Sequence, residues 1–272
     1  HVESSDSGKV KLSTAPTTAG AAAIDVAFAD GETYKDIYVH GVRGTTGSAT
    51  ITATQALFTS ATATETVVQP VFGIYGLSAS TTSLSADKEF YVYAGVLHSG
   101  GTYVSQWQNV SSEGPLPVTF TSSTPAVGQM KKTGEAGASV TINMAVNTQY
   151  SPTSLASGGV AFDPLSGGTT TVSATAPGFN NAWSAASQAV TVTQPAITIT
   201  DHWNGEYRVG ASLQTPLRIN LGGASHGGVT VHVESSDSGK VKLSTAPTAA
   251  GAAAIDVAFA DGETYKDIYV HG

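Results

Sequence analysis

Three acids, Asp30, Glu32 and Asp36, crowd one short stretch, and the same trio returns at Asp261, Glu263 and Asp267. Carboxylates at that density suit a hard cation, and calcium takes six to eight oxygen ligands. The spacing fits no calcium-loop signature, however. Asp30-Gly31 is also an ordinary hairpin turn and Lys35 stands beside the acids, so a solvated hairpin is the main expectation and a Ca2+ site the secondary one. His40, His98, His202, His226 and His232 could act as ligands or bases, but no two share a metal-ligand spacing and none stands in a serine or acid catalytic motif. The chain is therefore not expected to be an enzyme. Trp107, Trp183 and Trp203, with Tyr75, Tyr91, Tyr93, Tyr103 and Tyr207, could stack on sugar rings. The commoner use is one buried Trp per β-domain. Trp203, in Asp201-His202-Trp203-Asn204-Gly205, is expected to pack at a joint between domains. Asn109-Val110-Ser111 is a glycosylation sequon, and Lys88, Lys131 and Lys132 are conceivable donors for Lys–Asn isopeptide staples.

The elements that must carry these residues follow from composition and pattern. The 272 residues are 40% hydrophobic and only 12% charged, too apolar for a disordered chain, yet no stretch reaches the roughly 20 apolar residues of a membrane span. Thr, Ser, Gly and Val outweigh the usual surface helix formers, which argues for an all-β fold. A net charge of −8 argues against nucleic-acid binding. Cysteine is absent, which excludes disulfides, thiolate metal sites and thiol nucleophiles. The sequence opens on His1 without Met or leader and reads as a segment of something longer.

A repeat organises the chain. Residues 232–272 match residues 1–41 at 40 of 41 positions, the exception being Thr18 against Ala249, so the covalent period is 231 residues. Selection on a fold preserves a hydrophobic pattern rather than surface Ser and Lys, so near-identity points to recent duplication within a tandem array. Setting aside the 41-residue overlap, with its three lysines and six acids, leaves nine basic and fourteen acidic residues, or −5 per period. A weaker repeat lies inside the period. Val231–Ser236 resembles Val118–Ser123, and Ser48–Thr54 resembles Thr169–Thr175; Phe58 falls with Phe179 and Gln69-Pro70 with Gln194-Pro195. Three segments follow: 1–70, the C-terminal part of a domain A; 71–196, a complete domain B; and 197–272, the N-terminal part of the next domain A. Each partial domain is expected to leave unpaired strand edges, filled by continuation of the chain or by strands of a neighbouring chain.

Period-2 alternation predicts strands at Ile24/Val26/Phe28, Ile37/Val39, Ala49/Ile51/Ala53, Phe90/Val92/Ala94, Val140/Ile142/Met144 and Val190/Val192. Gly-rich turns separate them, no helix is expected, and short strands at this spacing suggest seven- or eight-stranded sandwiches. The joints are Gln69-Pro70 and Gln194-Pro195, where proline without a flexible spacer makes a stiff connection.

Ser48–Thr54, and Thr169–Thr175 followed by Ala176-Pro177-Gly178-Phe179, resemble the closing segment of bacterial Ig-like tandem-repeat domains; Ala29–Val39 is similar to their last hairpin. Domain A departs at Gln55-Ala56-Leu57-Phe58, which lacks the Pro-Gly turn. The resemblance covers both domains and implies tandem Ig-like β-sandwiches of a large adhesin or filament protein, with no catalytic residues. The expected role is an extracellular, cell-surface stalk, rod or fibre for adhesion or cell–cell connection. Its partners would be neighbouring repeats, and lateral copies in a fibre. A self-assembling filament or sheath subunit with strand complementation, and a glycan- or calcium-binding module, are the alternatives.

Overall fold

A computed structural model describes residues 1–272. The chain is all-β, with no α-helix and only two single turns of 3-10 helix, Leu155–Ser157 and Ser184–Ala186. It divides into two compact units: unit 1 is His1–Ala79, Asp87–Asp163 and Thr169–Thr191, and unit 2 is Ser80–Ala86, Pro164–Gly168 and Val192–Gly272.

Unit 1 opens with six strands: β1 (Val2–Ser4), β2 (Val10–Ser13), β3 (Ala23–Ile24), β4 (Tyr38–Gly41), β5 (Gly47–Ala53) and β6 (Ala61–Val67). They form a four-stranded antiparallel sheet in the order β3-β1-β5-β6 and a separate pair, β2-β4. Val10, Leu12, Ala49 and Ile51 make a small core between them, partly covered by Val2, Ile24 and Val67.

The next strands are β7 (Val71–Tyr75), β8 (Ser80–Thr82), β9 (Lys88–Leu97), β10 (Val104–Trp107), β11 (Leu116–Ser122), β12 (Gly128–Lys132), β13 (Glu135–Gly137), β14 (Ser139–Met144), β15 (Val160–Pro164), β16 (Gly168–Thr175) and β17 (Ser187–Thr193); β8 falls in unit 2. One sheet runs β10-β9-β15-β12-β13 with β7 also on β9, and the other contains β14-β11-β16-β17. Alternation decides the faces: Val140, Ile142 and Met144 point inward from β14, and Leu116, Val118 and Phe120 from β11. The Phe90 ring of β9 meets the Phe120 ring of β11 edge-on at 5.4 Å, joining the two sheets' inner faces. Gly128 has no choice of residue, because a Cβ there would land in the Phe162 ring. Phe72, Phe90, Phe120 and Phe162 are fully buried in the core, whereas Trp107 lies on the surface and Trp183 is partly buried, its Nε1 closed off from solvent.

Unit 2 carries β18 (Ile197–Asp201), β19 (Gln214–Leu221), β20 (Val229–Glu234), β21 (Lys242–Ser244), β22 (Ala254–Phe259) and β23 (Tyr265–His271). The orders are β18-β19-β23-β21 and β20-β22. Ile219, Leu243, Val257, Phe259, Ile268 and Val270 form its core.

The two copies of the 41-residue repeat fold to different extents. In the second, β22 pairs with β20 through Val229↔Phe259, and β23 runs the length of β19. In the first copy no strand pairs with residues 25–37 in the way β20 and β19 pair with β22 and β23. There β3 is two residues long and residues 25–37 form no strand, which corrects the expectation of a strand through Val26 and Phe28. Phe259 is 3% exposed and its copy Phe28 is 54% exposed. A strand alternates only where a partner strand satisfies its backbone.

Candidate functional site: a built joint, an aromatic face and an open strand edge

The acids do not converge. Glu32 accepts a hydrogen bond from the Ala29 N–H at 2.7 Å and pairs with Lys35 at 3.0 Å; Glu263 does the same with Ala260 (2.7 Å) and Lys266 (3.0 Å). Those donors, backbone first, hold both carboxyls below the usual range. Asp261 accepts from the N–H groups of His226 (3.1 Å) and Gly227 (2.9 Å). Asp267 pairs with Arg218 at 2.9 Å and with His202 at 3.1 Å, and Arg218 before His202 lowers its pKa. Asp30 and Asp36 stand on the exposed surface, and no group of three or more His, Asp or Glu able to hold a metal ion is present. Glu32, Glu263, Asp261 and Asp267 are each held by donors of the protein itself rather than grouped around one point.

A Ser–His contact escaped the linear reading. His40 Nε2 lies 2.7 Å from Ser13 Oγ, which donates to the Ala15 carbonyl at 2.7 Å. The second copy repeats this with His271, Ser244 and Ala246. Ser13 is buried and its proton is committed to a carbonyl, so the pair braces β2 against β4 and offers no nucleophile.

In unit 1 the segment 111–115 grips the first six strands. Lys11 Nζ meets Glu113 Oε1 at 2.6 Å, and the Arg43 guanidinium donates to the Pro115 carbonyl at 3.2 Å. Glu113 also accepts from the Arg43 N–H at 3.5 Å, and the Ser112 N–H donates to His40 Nδ1 at 3.4 Å. With Nδ1 accepting, Nε2 carries the proton and donates to Ser13. Lys11, then Arg43, hold Glu113 below the usual carboxylate range, while burial lowers the His40 pKa against the opposing pull of Glu113. Gly178 sits so close to Gly44 that a Cβ would approach the Gly44 nitrogen to 2.9 Å. Of the residues expected at joints, Gln69 is exposed, and the Pro70 carbonyl accepts from the Asn180 N–H at 2.8 Å. A cleft of about 820 Å³ opens here, lined by His40, Arg43, Glu65, Trp107, Asn109 and Phe179 among others. In unit 2, Gln194 is exposed and Pro195 packs against Gly222 and Gly223. Trp203 is 78% exposed, on a turn whose four N–H groups, from Trp203 to Glu206, converge on the Asp201 carboxylate.

Tyr75, Tyr91, Tyr93, Trp107 and Tyr150 cluster on the outer face of β7, β9 and β10. Tyr93 is central, with ring centroids 5.1 Å from Tyr75, 5.3 Å from Trp107 and 5.6 Å from Tyr150. Gly73 and Gly95 form the floor: side chains there would run into the Trp107 ring. Desolvation, and then Tyr91, raise the Tyr93 pKa. Lys131 pairs with Asp87 at 2.6 Å and Lys132 with Glu135 at 2.8 Å, so neither lysine is set against an asparagine.

The last feature is an absence of pairing. In the first copy β1 has partners on both sides, β3 and β5; in the second, β20 has β22 alone.

No family model matches this chain and no curated protein does. Among solved structures it is similar to Escherichia coli alpha-2-macroglobulin activated by porcine elastase, at 9% identity and a TM-score of 0.27. That match covers 88% of this chain and 22% of the other, so the chain spans under a quarter of that protein's length. The class defined so far is an all-β protein of several antiparallel sheets, in which no helix is long and apolar enough to cross a membrane.

Proposed function

We propose that the chain is a structural repeat of a long extracellular protein: tandem Ig-like β-sandwiches forming a stalk, rod or fibre that holds an adhesive or cell-connecting end away from the surface. The observation that carries this is a correspondence of strand order. Residues 71–193 contain β7-β9-β15-β12 and β14-β11-β16-β17. Residues 197–272 contain the first order whole, as β18-β19-β23-β21, and half of the second, as β20-β22. Residues 1–70 contain the second order whole, as β3-β1-β5-β6, and half of the first, as β2-β4. Register agrees as well: Phe120↔Ala174, Thr121↔Ser173 and Ser122↔Val172 match Val2↔Ala53, Glu3↔Thr52 and Ser4↔Ile51. Joined at the 231-residue offset, the two outer segments make one more sandwich of the middle kind. The chain thus reads as domains A and B in alternation, with boundaries near Pro70 and Pro195. The joint around Glu113 supplies stiffness. Electron micrographs of native material should show rods with an axial repeat of about 70–90 Å per period, from strand lengths and end-to-end stacking. A native gene holding a single copy of the period would overturn the reading.

A second reading rests on the aromatic face. Flat rings on a glycine floor, with the Gln108 amide donating to Gln106 at 3.2 Å beside them, suit stacking against pyranose rings. Polysaccharide binding by the chain, weakened at least tenfold by Trp107→Ala with the fold intact, would support it; no binding to any glycan tested would end it.

A further inference from the structure

We infer that the free edge of β20 is the seat of a second copy of the β5–β6 hairpin, residues 42–70, carried by the repeat that follows. The inference rests on the tandem reading only for the source of the hairpin; the seat itself is read from the two copies of one sequence. In the first copy, β5 lies along β1 with Val2↔Ala53, Glu3↔Thr52 and Ser4↔Ile51. The Ser5 N–H donates to the Thr50 carbonyl at 2.9 Å, and the Thr54 N–H to the His1 carbonyl at 2.9 Å. The same residues recur as His232–Ser236, where no strand lies along that edge. Backbone groups of an edge strand template pairing in a defined register. The register dictated here is Val233↔Ala53, Glu234↔Thr52 and Ser235↔Ile51, with the hairpin numbers those of the incoming copy.

Side chains agree with the backbone. Ala49 and Ile51 of β5 are buried against Val10 and Leu12, and Val10 is fully covered. Its copy, Val241, is only partly buried at the margin of the unit 2 core, where nothing stands in for Ala49 and Ile51. The incoming strand would close that margin. Its outward residues, Thr50 and Thr52, alternate with the buried ones, so a slip of one residue would turn Thr toward the core. In the middle strands, β16 seats on β11 in this register. In the first copy Gly41 leads through Val42 into the hairpin, so a hairpin following Gly272 would have the same connection.

The chain has no cysteine, so an introduced pair is the sole thiol chemistry. The test mixes the full 272-residue chain carrying Val233→Cys with a synthetic peptide of residues 42–70 carrying Ala53→Cys, under mild oxidation. Val233 and Ala53 would be directly opposed, within the reach of a disulfide. The cross-link should form at least tenfold faster than with cysteine at position 52 or 54 of the peptide, which face the other way. Equal rates at all three positions, or none, would overturn the inference. A second measurement needs no cysteine: appending residues 42–70 directly after Gly272 should raise the unfolding temperature of unit 2 by about 5–10 °C, and Ile51→Asp in the appended hairpin should abolish the gain. An appended chain with no gain would overturn the inference too. Cross-links between whole chains, one with Val233→Cys and one with Ala53→Cys and no peptide, at the peptide's rate would overturn the source, showing a separate chain as donor. Native material lacking the 231-residue period would end the stalk reading and leave the cross-link result standing.

Discussion

Phe259→Ala and Phe28→Ala change the same residue of the same repeat, and the structure separates their consequences. Phe259 is 3% exposed among Ile219, Leu243, Val257 and Ile268, so truncation removes buried area and leaves a cavity; such changes cost about 3–5 kcal/mol. Phe28 is 54% exposed on a segment without strand pairing. It leaves no enclosed cavity, and only the transfer of its covered half is lost, about 1 kcal/mol. The expected difference, at least about 2 kcal/mol, is roughly thirty-fold in an opening equilibrium. Hydrogen exchange read by mass spectrometry measures it, with one constraint: peptides inside the repeat that do not span Thr18 or Ala249 have the same sequence in both copies and cannot be assigned. The reporters must be β19 for unit 2 and β6 for unit 1, both outside the repeat. Phe259→Ala should speed exchange of β19 about thirty-fold or more and leave β6 unchanged; Phe28→Ala should move β6 only slightly. Equal effects from the two substitutions would refute the argument that partner strands, rather than the residues, set burial here.

Acid should loosen unit 1 in two stages. His40 has a lowered pKa, so the unfolded chain binds its proton first; the stability it contributes is present above about pH 6.5 and lost as pH falls through the folded value, and His40→Gln should flatten that stage. Glu113, also lowered, contributes above about pH 4.5 and its share is lost further down, as its carboxyl takes up a proton; pH-dependent urea unfolding reads both stages. A double-mutant cycle with Lys11→Met and Glu113→Gln should give a coupling of about 0.5–1 kcal/mol that shrinks in high salt, since both side chains are partly exposed. Gly128→Ala should destabilise unit 1 by about 1–3 kcal/mol through collision with Phe162, and Phe162→Leu in the same chain should recover part of it, measured by thermal unfolding.

Much of the local structure was legible in sequence. Alternation in Val140–Met144, Phe90–Ala94 and Val190–Val192 marked strands that form with those residues inward, because a strand between water and a core needs a period of two. The internal likeness of Val118–Ser123 to Val231–Ser236, and of Ser48–Thr54 to Thr169–Thr175, marked strands that occupy corresponding places in the sheets. The interaction sites were less legible. Asp30, Glu32 and Asp36 cluster in sequence, but Glu32 turns to the Ala29 N–H and Lys35 while Asp30 and Asp36 stand exposed, and the three do not gather into a group of metal ligands. Ser13 and His40 are 27 residues apart with β3 between them, and only the pairing of β2 with β4 brings them together. The turn that carries Trp203 closes around the Asp201 carboxylate and leaves the ring exposed, which the order of residues 201–205 does not announce.

The repeat separates the two kinds of information. Sequence alone determined that Val10 and Val241, or Phe28 and Phe259, belong on apolar faces, since those residues and their spacing are the same in both copies. Tertiary structure alone decided which of each pair is covered: Val10 because β5 lies over it, Phe259 because β19 and β20 do. Sheet formation is non-local, and a residue's burial depends on strands that can lie far along the chain.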